Sequence, residues 1–271
     1  MKSPLPKISV ITPSYNQAEF LERTICSVLD QHYPNLEYII IDGGSTDGSL
    51  DIIKKYADRL AYWISEPDKG QTDAINKGLK RATGEWVAWQ NSDDIYFPGA
   101  LAAVAKAVET CSDMDVVVGN INMIDRYDRV LRDVRYATPS YGGMLAEGMT
   151  LTNQAAFWRR SVHSKIGWLN MGLHYGFDYE WFLRLTKACK GVHTNELWGG
   201  YRLHDATKTH TQAERFLDEY AEILRTHPRL PSWKRLIFKL RRLSLMLIHG
   251  NWRYVLRGLY LRSVGKDGVA D

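Results

Sequence analysis

Cysteine is scarce in this chain of 271 residues, and the three present, Cys26, Cys111 and Cys189, lie far apart. An odd, scattered set offers neither a disulfide framework nor the close spacing of a zinc site, so a reducing compartment is expected. Long apolar runs are missing too. No stretch reaches the roughly 18 uninterrupted apolar residues of a membrane-spanning helix. The opening residues, MKSPLPKISVITPSYN, lack the apolar centre of a secretory signal. Neither GxGxxG nor GxxxxGK[ST] occurs, which removes the dinucleotide fingerprint and the phosphate loop. No Ser-His-Asp or Cys-His arrangement is evident. Acid is absent from one long stretch: between Glu222 and Asp267 there is no Asp or Glu but eleven Lys or Arg. Without that segment the remainder holds 24 bases against 31 acids, a net charge of −7 beneath the overall +4.

What is present is ordinary globular material, 45% hydrophobic and 24% charged, long enough for a sizeable core. One large α/β domain with an appendage is the expected organisation, with the boundary placed between residues 1–226 and a basic tail, 227–271. The strands are predicted at 7–12, 36–41, 60–65, 85–89 and 116–120. Between and after them, helices are predicted at 18–29, 49–57, 73–82 and 98–109. This alternation argues for a mostly parallel sheet covered on both faces. Ligands of such sheets sit beyond the carboxyl ends of the strands, so the loops after Thr12, Ile41, Ser65 and Trp89 should open on one edge. Residues 123–134 suggest an exposed hairpin or edge, 136–166 read as loop-rich, and 176–188 and 212–226 read as helices. Between these two helices, 192–203 reads as turn and strand and 205–211 as a polar loop.

The fourth strand ends abruptly in Asn91-Ser92-Asp93-Asp94. Adjacent carboxylates repel and are costly to desolvate. A divalent cation on a pyrophosphate would satisfy them, since hard cations share carboxylate and phosphate oxygens. A helix N-terminus capped by Ser92 or Asp93 would also do so.

Five pieces in order decide between these: ISVITPSYNQAEFLERTICSVLDQ, EYIIIDGGSTDGS, DKGQTDAINKGLKRATGEW, NSDDIYFPGAL and GFDYEWFLRL. Together they resemble the family 2 glycosyltransferases, over about the first 210 residues. The resemblance implies the GT-A nucleotide-diphospho-sugar transferase fold. It also implies a metal-dependent, inverting transfer of a sugar from a nucleotide-diphosphate donor to a hydroxyl, in polysaccharide biosynthesis. Asp93 stands where the family's Asp-x-Asp motif holds Mn²⁺ or Mg²⁺, while Asn91 replaces the first Asp. Thr12, Pro13 and Tyr15 match the first nucleotide loop, and Asp42 matches the first Asp of the Asp-Asp-Gly-Ser loop. Gly43 replaces the second Asp, which leaves the base open. Lys69, Gln71 and Asp73, with Ser92 and Asp93, are the remaining expected donor contacts, and Asn76 matches a buried structural Asn. Asp178 matches the catalytic base, with Phe177 in place of the preceding Glu and Glu180 at the second Asp. His204 matches a residue that ligates the metal or touches the diphosphate, with Arg202 or Lys208 offsetting phosphate charge. Gln154 and Trp158 lie where the family shapes its acceptor pocket, unless Trp158 is core.

In the tail, Trp233, Leu236, Ile237, Leu240, Leu243 and Leu247 recur at helical spacing among five bases, and residues 252–261 repeat the theme. Such a hairpin suits an anionic membrane surface, or a pair of helices packed on the catalytic domain. The expected partners are a nucleotide sugar, a glycan or lipid-linked acceptor and that membrane surface, not nucleic acid. The expected location is cytoplasmic, peripheral on the inner membrane face. The alternatives are a sugar-nucleotide or carbohydrate-binding module without turnover, and a nucleotidyltransferase, which would release pyrophosphate.

Overall fold

The structure, a computed structural model, describes residues 5–205 and 213–263. The chain opens with β1 (Ile8–Ser14), α1 (Ala18–Leu29), β2 (Leu36–Asp42), α2 (Ser49–Lys55), β3 (Tyr62–Ser65), α3 (Gln71–Arg81) and β4 (Trp86–Trp89). These four strands lie side by side in the order β3-β2-β1-β4, all parallel. β1 and β4 are buried at every position and β2 at all but its first, as continuous apolar runs with helices on the sheet faces should be.

Beyond β4 the sheet becomes mixed. The next elements are β5 (Ile95–Tyr96), α4 (Ala100–Thr110), β6 (Val116–Ile124), β7 (Val130–Val134), α5 (Tyr141–Glu147), β8 (Ala156–Arg159), α6 (Val162–Ile166), α7 (Phe177–Ala188) and β9 (Gly191–Arg202). β8 pairs antiparallel with both β4 and β6, β9 runs parallel to β6, and β5 closes the far edge on β9. β7 pairs with β6 as the expected hairpin. The nine strands therefore form one sheet. The stretch 136–166 is more ordered than the loop-rich expectation. It carries α5, α6 and the fully interior β8, whose four residues are too few to show a period.

Pro13 does not end β1 as a turn would. Its register continues through Pro13↔Ile41 to Ser14↔Asp42, while pairing with β4 stops at Ile11↔Trp89. Gln90 N–H donates to the Ile11 carbonyl, so alternate residues of β1, including Pro13, turn their backbone toward β4. The missing amide of proline thus falls where the neighbouring strand has already left.

Three helices complete the described chain: α8 (Ala213–Arg225), α9 (Ser232–Ile248) and α10 (Trp252–Ser263). α9 does not stand apart. Phe238 lies so close over Gly142 of α5 that a Cβ there would sit 2.0 Å from its ring, Met246 is buried, and Arg242 donates to Glu147 at 2.9 and 3.0 Å. α10 adds an Arg257–Asp133 ion pair to β7.

Candidate active site

The carboxyl ends of β1, β2, β3 and β4 share one rim, and the segments that leave them bind one another. Asn16, with φ of 51°, accepts from Thr46 N–H at 2.9 Å, and its own N–H donates to Ser45 Oγ at 2.8 Å. Asp47 ties α1 to α2: one oxygen accepts Ala18 N–H at 2.8 Å and the other Ser49 N–H at 3.0 Å. Asp42 is fully buried. Its carboxylate accepts Gly44 N–H (3.1 Å), Ser45 N–H (2.9 Å), Ser45 Oγ–H (2.5 Å) and Ser65 Oγ–H (2.7 Å). Asp42 thus builds the loop from within. Gly43 leaves room for Asp68, since a Cβ at 43 would lie 2.7 Å from Asp68 Oδ2.

The sequence-predicted donor residues divide by burial. Thr12 is fully buried and its hydroxyl meets Tyr38 OH at 2.9 Å, so its side chain supports the strand instead of facing a ligand. Tyr15 is 62% exposed just past β1, and Lys69 is also exposed. Asp73, in the first turn of α3, accepts Lys69 N–H at 3.1 Å and lies 3.5 Å from Lys77 Nζ. Gln71 donates to Asn91 Oδ1 at 3.0 Å, and Asn91 donates to Asp94 Oδ2 at 3.0 Å. The donor loop and the acidic turn are therefore joined. Ser92 is buried, and its carbonyl accepts the Thr24 hydroxyl at 2.9 Å.

The two adjacent aspartates have different surroundings. Asp94 is 1% exposed and accepts Gln154 Nε2–H at 2.7 Å and Arg202 N–H at 2.8 Å besides Asn91. Burial, then the charge of Asp93, pushes its carboxyl up to about 8, against the pull of those three donors. Asp93 keeps 22% of its side chain exposed, and its Oδ2 lies 3.2 Å from His204 Nε2. The His204 ring is backed by Phe20 at 4.5 Å. A cavity of about 340 Å³ opens beside this pair, lined in part by Glu19, Arg126, Tyr127 and Arg129.

Arg202 does not face outward as an offset to phosphate. It is fully buried, donating to the Asp93 carbonyl at 2.5 Å and the Asp125 carbonyl at 3.0 Å and pairing with Asp128. Its guanidinium holds the acidic turn from beneath. Lys208 lies outside the described residues, as does most of the predicted loop 205–211.

Asp178 stands in the first turn of α7, partly exposed, with Oδ1 accepting Tyr179 N–H at 2.7 Å. The segment before it folds over α3: Thr72 Oγ1 donates to the Leu173 carbonyl at 3.2 Å, and Asn76 exchanges two bonds with Leu169. Asn76 is therefore structural, as expected. Phe177 packs on Trp89 at 6.4 Å, which places the start of α7 against the end of β4. Glu180 is committed to Arg184 at 2.5 and 2.7 Å. Trp158 is fully buried among Trp89, Trp181 and Phe182 and lines no acceptor pocket, whereas Gln154 reaches the acidic turn itself.

Among the described residues, no three His, Cys, Asp or Glu side chains cluster closely enough to hold an ion by themselves. Asp93 and His204 are a pair whose remaining ligands would have to come from elsewhere.

The mixed sheet that opens with a parallel unit, with the Asp93–His204 pair at its rim, has a GT-A-like architecture. The sequence model described as glycosyl transferase family 2 matches residues 9–167, and the chain belongs to that family. A Mycobacterium tuberculosis protein described as an uncharacterized glycosyltransferase is 34% identical over 69% of this chain and 71% of its own length. A Bacillus subtilis glycosyltransferase named for teichuronic acid biosynthesis, TuaG, is 47% identical over 33% of this chain and 36% of its own. Among solved structures, Staphylococcus aureus TarS 1–349 in complex with UDP-GlcNAc superposes with a TM-score of 0.66 at 18% identity. That match covers 84% of this chain and 69% of the other. The protein is a family 2 glycosyltransferase with a GT-A-like fold.

Proposed function

We propose that this glycosyltransferase moves a sugar, with inversion at the anomeric carbon, from a nucleoside diphosphate to a hydroxyl of a glycan or lipid-linked acceptor. The observation that carries this reading is the Asp93–His204 pair at the rim of β4, 3.2 Å apart and held from beneath by Arg202. Asp93 and His204 would hold Mn²⁺ or Mg²⁺ between them, a carboxylate oxygen and an imidazole nitrogen that already lie side by side. The ion's other ligands would be phosphate oxygens and water, which agrees with a protein donor set of only two. Bound there, such an ion would neutralise charge developing on the leaving diphosphate.

The chain's own residues supply the rest. Tyr15 offers an exposed ring for the nucleoside, and Lys69 an exposed cation for the phosphates. Asp178 accepts the proton of the acceptor hydroxyl as its oxygen attacks the anomeric carbon. The bond from that carbon to the phosphate oxygen breaks on the opposite side, and its electron pair leaves with the diphosphate. One displacement inverts the centre.

The exposed surface of α9 and α10 supports peripheral attachment to an anionic inner membrane face. α9 turns Phe238, Leu245 and Met246 toward the body, while Trp233, Leu236, Ile237, Leu240 and Leu247 stay exposed beside its bases. No described helix is long and apolar enough to cross a membrane. A lipid-linked acceptor would be presented at such a surface.

The test is release of nucleoside diphosphate from a panel of UDP- and GDP-sugars with Mn²⁺. Asp178→Asn should lower release by about a hundredfold to ten-thousandfold while leaving nucleoside diphosphate binding intact. Full turnover by Asp178→Asn would remove the base assignment, and binding without release in the native chain would leave a binding module.

A further inference from the structure

α7 starts without a cap of its own. Its N-cap residue is Gly176, which has no side chain to offer. An uncapped helix end leaves orphan N–H groups that must find partners. For the N-cap amide of Gly176, and for the two amides that precede it, the partner comes from a helix more than forty residues on. Glu219 of α8 accepts His174 N–H at 2.9 and 3.1 Å, Tyr175 N–H at 2.8 Å and Gly176 N–H at 2.8 Å.

The docking around that carboxylate is built for close approach. A Cβ on Gly176 would lie 2.8 Å from Ile223 Cδ1, so glycine is what lets α8 sit directly on the turn. Ile223 is 4% exposed. Tyr220 stacks on Tyr179 with centroids 4.2 Å apart, and Tyr179 OH donates to the Met144 carbonyl at 2.9 Å. The clamped residues lie between two parts of the candidate site. Leu173 is bonded to Thr72 at the start of α3, His174 lies beside Gly70, and Asp178 follows two residues after Gly176.

We propose that Glu219 is a positioning residue for the reaction, holding the turn that leads into α7 so that the Asp178 carboxylate is aimed at the acceptor hydroxyl. This rests on the reading of Asp178 as the base. Misplacing a reacting group by about 1 Å can cost about a hundredfold in rate. A carboxylate spanning three consecutive amides fixes the turn in direction as well as position, which Tyr220 and Ile223 packing alone does not.

The experiment compares Glu219→Ala and Glu219→Gln with Ile223→Ala, which loosens the same helix without removing the carboxylate. Amide hydrogen exchange is read first and needs no turnover. Glu219→Ala should speed exchange at 174–179 by about tenfold or more, with β1 and β4 unchanged. Diphosphate release from the best donor of the panel should fall about tenfold to a hundredfold in kcat for Glu219→Ala and less for Glu219→Gln. The dissociation constant for UDP or GDP with Mn²⁺ should stay within about twofold. In the Asp178→Asn background, Glu219→Ala should cost nothing further, because both changes remove one function. Unchanged exchange at 174–179 would overturn the proposal. So would parallel losses of kcat, nucleotide affinity and Tm matching those of Ile223→Ala, or additive effects with Asp178→Asn. If Asp178→Asn itself keeps full turnover, the base reading fails instead, and the exchange result then stands for the clamp alone.

Discussion

Gln154 donates its side-chain amide to Asp94 Oδ2 at 2.7 Å, across sixty residues of sequence. The contact opposes the upward push that burial and Asp93 exert on the Asp94 carboxyl. The hydrogen bonds that reach the Asp94 carboxyl all come from N–H donors, of Gln154, Asn91 and the Arg202 main chain. Asp94→Asn would present an NH₂ to those donors, and Gln154→Leu would leave a buried acceptor without its partner. Each should cost about 1–3 kcal/mol in urea unfolding. Because the two side chains share one bond, the double substitution should cost clearly less than the two single losses combined. Strict additivity would mean the amide and the carboxylate act apart.

The pair at the rim carries the second prediction. With UDP or GDP at about a hundred times its dissociation constant, the native chain should gain about 2.7 kcal/mol of stability. The part of that gain which depends on Mn²⁺ should vanish in Asp93→Asn and on adding EDTA. It should shrink in His204→Asn, where one donor of the pair is lost but the carboxylate remains. Equal Mn²⁺-dependent shifts in all three proteins, measured by thermal melting, would separate the metal from this pair.

The parallel half of the fold was legible in the sequence because each of β1, β2 and β4 is an apolar run closed by a turn, with amphipathic helices between. β8 was not. Ala156–Arg159 is four residues long and buried at its first three, so it shows neither alternation nor length. The acidic turn announced itself through the cost of adjacent carboxylates. What burial did with each residue was not readable, since burial depends on partners distant in sequence. Thr12 turned inward to Tyr38, Arg202 went beneath the turn, and Glu219, an ordinary acid on an amphipathic helix, became the clamp on the turn that leads into another helix. The one hint of that last contact was Gly176 ahead of α7, a helix start with no side chain to cap it.

Acid stability provides the third prediction. Glu37 is 8% exposed and accepts from Lys7, Ser9 and Thr83 at 2.6–2.8 Å. Burial alone would raise its carboxyl, but these bonds overcome it and hold the group down to about 2. A carboxyl whose pKa is lower folded than unfolded contributes stability above its unfolded value, and that contribution is lost as pH falls toward 2. Glu37→Gln should therefore cost about 1.5–3 kcal/mol at pH 7, and the gap should narrow steadily below about pH 4. His163 adds a window at higher pH. Its Nε2 accepts the Trp158 indole N–H at 3.1 Å, and burial pushes the ring down to about 4, so its neutral form stabilises the fold. That contribution is complete above about pH 6.5 and fades toward pH 4. Urea midpoints for the native chain and Glu37→Gln across pH 3–8 would show both slopes, and a gap independent of pH would contradict the Glu37 assignment.

The outer face of α9 and α10 makes the last prediction. α9 has two apolar stripes, one spent on α5 and one left open. Trp233 is 60% exposed, Leu240 53% and, on α10, Trp252 51%. A helix polar on its outside would need no such residues, and a helix merely packed on the body would not combine them with a segment free of acid. A lipid surface would cover the apolar side chains while its anionic headgroups met the bases, worth about 1 kcal/mol per Lys or Arg near the surface. The chain should therefore sediment with phosphatidylglycerol vesicles and not with phosphatidylcholine ones, and 1 M salt should release most of it. Brominated acyl chains should quench the exposed Trp233 and Trp252, and Trp233→Ser with Leu240→Ser should weaken binding without changing diphosphate release from a soluble donor. Those positions lie outside the candidate site, so a loss of release together with vesicle binding would point to α9 as a structural part of the transferase instead of its membrane contact.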